Sequence, residues 1–182
     1  MKALVLIANG SEEMEAVVIV DILRRAGVNV VFAGDADIVT CSRGVRILPD
    51  VIFQDLGDEV IYDAIVLPGG QQGVQHLVEN HQVRDVVERH RDAGKIVAAI
   101  CAAPSLLHEW GMLQRHNVVT GHPSIERQLA AYTFTFDRVV EDGALITSRG
   151  AGTALEFALA LVRRLAGQEM ARHVASDIVM FE

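Results

Sequence analysis

Residues 95–106 read KIVAAICAAPSL. The apolar run 95–100 predicts a buried strand, and Pro104 near the start of 103–107 predicts a helix directly after it. A strand, a sharp turn and a helix form a nucleophile elbow, with Cys101 where hydrolases place serine. The start of such a helix presents free N–H groups to the sulfur, so we expect a lowered pKa for Cys101 and a favoured thiolate.

Short apolar runs alternate with amphipathic stretches along the rest of the chain. Further strands are predicted at 2–8, 28–33, 64–67, 118–119, 139–140 and 144–147. Shorter strands are predicted at 41–48 and 51–54, as a hairpin or as an excursion at the sheet edge. Further helices are predicted from the N-cap Ser11 to 24–27, at 83–93, at 153–165 and from 169 onward. This alternation predicts one α/β domain over 1–182, a flavodoxin-like sandwich whose mostly parallel sheet carries helices on both faces. Ligands of such folds bind beyond the carboxyl ends of the strands, where the polar, glycine-rich segments of this chain lie.

Length, charge and cysteine content exclude several classes of protein. The 182 residues suffice for one sizeable core, and the net charge of −8 disfavours binding to nucleic acid or to an anionic membrane surface. No apolar run approaches the ~20 residues that span a bilayer, and residues 1–8 are interpreted as a mature first strand rather than a signal peptide. Two cysteines make neither a disulfide framework nor a zinc site, so we expect a cytoplasmic protein.

Each candidate residue also has a purely structural interpretation. From position alone, a reactive Cys101 and a buried structural Cys101 are equally favoured, whereas Cys41 is interpreted as structural. Glu15 without further information is a first-turn helix charge, and Gly70 is a turn glycine. The histidines other than His122 are predicted at the surface, without metal-ligand spacing.

Five motifs together resemble the ThiJ/PfpI superfamily, within it the branch of bacterial YajL and the parkinsonism-associated deglycase. They occur in register over essentially the whole chain and comprise 10–15 (GSEEME), 41–45 (CSRGV), 66–70 (VLPGG), 98–104 (AAICAAP) and 147–153 (TSRGAGT). The resemblance implies that Cys101 is the nucleophile and that Glu15 is a protonated acid hydrogen-bonded to it. It also implies His122 as a nearby active-site histidine.

The same resemblance implies several further roles. The N–H groups of Gly70 and Ala102 would bind an oxyanion, a stabilisation typically worth ~3 kcal/mol per donor. Arg43 and Arg25 would lie near the interface of a homodimer and support the site from there. Asp21, four residues before Arg25, is placed to pair with it or to remain a solvated helix charge.

Three functions follow as hypotheses. The first is a glyoxalase or deglycase that acts on methylglyoxal, glyoxal or early glycation adducts through a hemithioacetal on Cys101, without metal or organic cofactor. The second is an oxidative-stress sensor or redox-regulated chaperone that uses oxidation of Cys101 to sulfinate. The third, an intracellular peptidase, is disfavoured because that branch of the superfamily has histidine where this chain has Ala102.

Overall fold

The structure, a computed structural model, describes residues 1–57 and 60–180. Its strands are β1 (Lys2–Ile7), β2 (Asn29–Gly34), β3 (Val39–Thr40), β4 (Arg46–Ile47), β5 (Val51–Ile52), β6 (Ala64–Leu67), β7 (Ile96–Ile100), β8 (Val118–Val119), β9 (Thr133–Phe134), β10 (Val139–Asp142) and β11 (Leu145–Ser148). Its helices are α1 (Glu13–Arg25), α2 (Gln71–Glu79), α3 (His81–Asp92), α4 (Ala103–Glu109), α5 (Ala154–Ala166) and α6 (Gln168–Asp177). Within these ranges no helix has both the length and the apolarity needed to cross a bilayer.

Seven strands form one sheet in the order β10-β11-β7-β6-β1-β2-β5. All neighbouring pairs are parallel except the hairpin β10–β11. This confirms the predicted α/β class and the mostly parallel sheet. The predicted domain limits 1–182 include residues 58–59 and 181–182, which lie outside the described residues.

Each face of the sheet has its own hydrophobic core, because successive side chains of a strand point to opposite faces. In β1, Ala3, Val5 and Ile7 join the core beneath α1, α5 and α6. Leu4 and Leu6 join the other core, beneath α2, α3 and α4. The apolar runs of the sequence are therefore buried on both sides, as expected for parallel strands.

Several local predictions are corrected by the structure. Ser11 does not cap α1, because its Oγ accepts the Ala8 N–H at 3.0 Å; the cap is Glu12. The strand predicted at 41–48 is limited to Arg46–Ile47, which pairs with Val39–Thr40 in a small hairpin apart from the main sheet, whereas β5 joins the sheet edge. Helix α2 was not predicted, although its buried Val74 and Leu77 show helical spacing.

One histidine lies in the core rather than at the surface. His90 is fully buried, with Nδ1 2.6 Å from the Val86 carbonyl oxygen and Nε2 accepting the Tyr62 N–H at 2.9 Å. Only a neutral ring protonated on Nδ1 satisfies both bonds. Burial accordingly lowers the pKa of His90, and its role is structural.

Candidate active site

Cys101 occupies the turn between β7 and α4 and has a φ of +64°, in the left-handed region that a non-glycine residue rarely adopts. Two backbone bonds hold this strained turn. The Cys101 N–H donates to the Ser148 carbonyl at 3.0 Å, and the Cys101 carbonyl accepts the His122 N–H at 2.8 Å. The predicted nucleophile elbow is thus present, with a partly exposed thiol at the carboxyl edge of the sheet.

Two helix N-termini converge on the sulfur. Gly70 is the N-cap of α2 and Ala102 is the N-cap of α4, and the backbone N–H of each interacts with the Cys101 thiol. The structure therefore brings together the two donors predicted from the sequence. They belong to different strand–helix junctions, so their convergence depends on the pairing of β6 with β7.

Glu15 lies in the first turn of α1 and is fully buried. Its Oε2 accepts the Gly69 N–H at 2.7 Å, whereas Oε1 is buried without a hydrogen-bond partner in the described part of the chain. Burial raises the pKa of Glu15 to about 7, although hydrogen bonds from Gly69 and Cys101 lower it. A proton on this carboxyl belongs on Oε1, because Oε2 already accepts a hydrogen bond.

The thiol itself behaves differently from the sequence prediction. Burial, the charge of an ionised Glu15 and their mutual hydrogen bond raise the pKa of Cys101 to about 12. The N–H groups of Gly70 and Ala102 lower this pKa but are outweighed. The lowered pKa expected for Cys101 from the helix end is therefore not found while Glu15 is ionised.

Glu15 and Cys101 consequently share one negative charge. Two like charges in contact within a buried site cannot both form at neutral pH. When Glu15 takes up the thiol proton, it loses its charge and no longer raises the pKa of Cys101. The N–H groups of Gly70 and Ala102 then stabilise the sulfur anion. The pair is thus built to move a proton between carboxylate and thiol.

Gly69 separates the two reactive groups and leaves no room for a side chain. A Cβ on Gly69 would lie 2.6 Å from the Cys101 Cβ and 2.9 Å from Glu15 Oε2. Gly69 belongs to the 66–70 motif, but its position against the carboxyl and the thiol was not predicted.

His122 lies at the exposed side of the site. Its Nδ1 is 2.8 Å from Ser124 Oγ, and a Cβ placed on Gly150 would lie 3.9 Å from the His122 ring and 3.8 Å from Cys101 Sγ. The histidine and the thiol therefore border the same space, which Gly150 leaves open. Gly150 belongs to a motif recognised in the sequence, but its position facing the thiol was not predicted.

The two arginines lie on the surface of the chain. Arg25 pairs with Asp21 at 2.8 Å, which is one of the two arrangements considered for Asp21. Arg43 is held through its backbone, whose N–H donates to Glu13 Oε1 at 2.9 Å. Among the described residues, neither arginine has a hydrogen bond to Cys101 or Glu15; their proposed role at a dimer interface stays a prediction.

Glu13 has a structural role that the sequence analysis missed. Besides Arg43, its carboxylate accepts the Ser42 hydroxyl at 2.8 Å, so it ties the loop after β3 to the start of α1. Cys41 in this loop is buried, and burial raises its pKa to about 11, in line with its structural interpretation. Residues 1–57 and 60–180 contain no group of three or more histidine, cysteine or carboxylate side chains that fits a metal ion.

Comparison with known proteins gives consistent matches over the chain. A model of the DJ-1/PfpI family matches residues 1–164. The chain is 42% identical over 182 residues to protein dj-1beta of Drosophila melanogaster, covering 98% of this chain and 96% of that protein. The crystal structure of that Drosophila DJ-1beta superposes with a TM-score of 0.93, covering 98% of this chain and 97% of the other. The Caenorhabditis elegans glutathione-independent glyoxalase DJR-1.2 is 36% identical over 162 residues, covering 87% and 85% of the two chains.

The glycine at the site provides a test of this packing. Gly70 has a φ of +89°, and a Cβ there would lie 2.6 Å from the Glu12 backbone nitrogen. We expect Gly70→Ala to lose at least about 3 kcal/mol of unfolding free energy in urea, from backbone strain and steric overlap together. Gly94→Ala is the matched control, with a φ of +68° but open space around it, and should lose only about 1–2 kcal/mol. Equal losses would contradict the close backbone packing at Gly70.

Proposed function

Because the chain belongs to the DJ-1/PfpI family, we propose that it is a cysteine-dependent glyoxalase or deglycase with Cys101 as nucleophile. The observation that carries the proposal is the contact of three groups with one thiol: the Glu15 carboxyl and the N–H groups of Gly70 and Ala102. This set supplies a nucleophile, a proton acceptor and two donors for a developing oxyanion. The glyoxalase name of one relative supports the same chemistry.

The reaction begins with addition of sulfur to the aldehyde carbon of methylglyoxal. The Cys101 proton passes to Glu15, the S–C bond forms, and the aldehyde oxygen receives hydrogen bonds from Gly70 and Ala102. The oxygen then takes up a proton, which completes a hemithioacetal. A buried Glu15 with a pKa of about 7 is suited to accept and return a proton near neutral pH.

The second stage is a proton transfer without an external oxidant. A base removes the proton from C1 of the hemithioacetal, an enediol forms, and reprotonation at C2 gives a thioester of lactate on Cys101. Water cleaves the thioester, so methylglyoxal and one water become lactate and one proton while the thiol is regenerated. Glu15 moves these protons, and His122 assists from the exposed side of the site.

Early glycation adducts of protein or nucleotide amines would react with the Cys101 thiol by the same addition, which would make the protein a deglycase. The redox alternative, with Cys101 oxidised to sulfinate as a stress sensor or chaperone, stays a prediction. So do a cytoplasmic location and the absence of nucleic-acid and membrane partners.

Lactate formation from methylglyoxal tests the enzyme proposal directly. Wild type should produce lactate, Cys101→Ser should lower kcat at least about 10³-fold, and Glu15→Gln about 10²-fold or more. Cys41→Ser is the matched control and should retain activity, because Cys41 lies in the loop after β3. Lactate formation by Cys101→Ser at the wild-type rate would exclude the proposed nucleophile.

We also propose that the protein is a homodimer formed through α1. Two large apolar side chains on this helix are exposed, Met14 at 58% and Val17 at 49%. Burial of such side chains against a second copy would remove apolar area from water. Val17→Glu should therefore shift the mass from dimer to monomer in light scattering at micromolar concentration, whereas Ile61→Glu, also at an exposed apolar position, should not. A monomeric wild type would refute the proposal.

A further inference from the structure

A groove of about 360 Å³ lies beside the reactive site, between α2, α4 and the turn after His122. Its lining includes Gln71, which directly follows Gly70, and Ala102, whose N–H interacts with the sulfur. It also includes Ser124, the hydrogen-bond partner of His122. The volume falls at the lower end of the range for ligand pockets. Residues adjacent to Gly70, Cys101 and His122 therefore line this groove.

The rim of the groove is polar and carries only negative charge. Three glutamines line it, Gln71, Gln75 and Gln128, and their amides both donate and accept hydrogen bonds, as peptide groups require. Two exposed carboxylates, Glu79 and Glu109, complete the rim, and neither has an ion pair among the described residues. No lysine, arginine or histidine of the described chain lines this groove. A cation is attracted to such a rim and a phosphate is repelled.

The floor of the groove is apolar. Val74 and Ile125 are buried there, and Val78 is partly buried. The Val78 carbonyl accepts the indole N–H of Trp110 at 3.2 Å, which anchors the floor to the core. Lysine and arginine side chains fit this combination, because an aliphatic stem can lie on an apolar surface while the charged end reaches a carboxylate.

We propose that this groove binds the peptide part of a glycated peptide and selects a lysine or arginine next to the modified residue. This inference rests on the proposed function, because it names the class of substrate that would react with the same thiol. Glu79 and Glu109 are the residues that determine specificity. Glycated nucleotides are disfavoured, because their phosphates would face the same two carboxylates.

Isothermal titration calorimetry with three probes tests the inference on the intact protein. The probes are acetyl-Gly-Arg-Gly-amide, acetyl-Gly-Glu-Gly-amide and AMP. Wild type should bind the arginine peptide at least about tenfold more tightly than either anionic probe. The double variant Glu79→Gln/Glu109→Gln should reduce this preference below about threefold.

The control separates local charge from the overall charge of the chain. Asp55→Asn/Glu169→Gln removes the same charge at exposed positions outside the groove and should keep the wild-type preference. Tighter binding of AMP, no binding of the arginine peptide, or an unchanged preference in the groove variant would overturn the inference. Methylglyoxal turnover is measured on the same preparation: selective peptide binding without turnover refutes the proposed function alone.

Discussion

The site depends on a single negative charge that Glu15 and Cys101 share in a buried environment. Burial raises the pKa of both groups, to about 7 for the carboxyl and to about 12 for the thiol beside an ionised carboxylate. Each group therefore ionises at the expense of the other. The sulfur becomes nucleophilic when its proton moves to the Glu15 carboxyl, whose Oε1 has no hydrogen-bond partner in the described structure.

The fold holds these two groups together through close backbone contacts. Glu15 comes from the segment after β1, the glycines from the segment after β6, and Cys101 from the segment after β7, three neighbouring strands of one sheet. The Glu12 N–H donates to the Gly69 carbonyl at 2.9 Å, and the Gly69 N–H donates to Glu15 Oε2 at 2.7 Å. These contacts require glycine at 69 and 70, because any Cβ there would overlap neighbouring atoms.

Much of this arrangement could be predicted from the sequence, because strand ends of a parallel sheet meet at one edge. The elbow at Cys101 follows from local pattern, whereas the roles of Glu15, Gly70 and Ala102 required the resemblance to a family. The raised pKa of Cys101 could not be predicted, since burial and the contact with Glu15 arise only on folding. The buried His90 was missed for the same reason: its hydrogen bond with the Tyr62 N–H joins helix α3 to a loop residue 28 positions away in sequence.

The pH dependence of Cys101 alkylation tests the shared charge most directly. Iodoacetamide labelling of Cys101, read by mass spectrometry, should rise with a midpoint near pH 7 in wild type, where the pair loses its first proton. In Glu15→Gln the thiol has no proton acceptor, so the midpoint should move upward. Wild-type labelling with the midpoint of free cysteine, near 8.5, or the same midpoint in both proteins would contradict a charge shared between carboxyl and thiol.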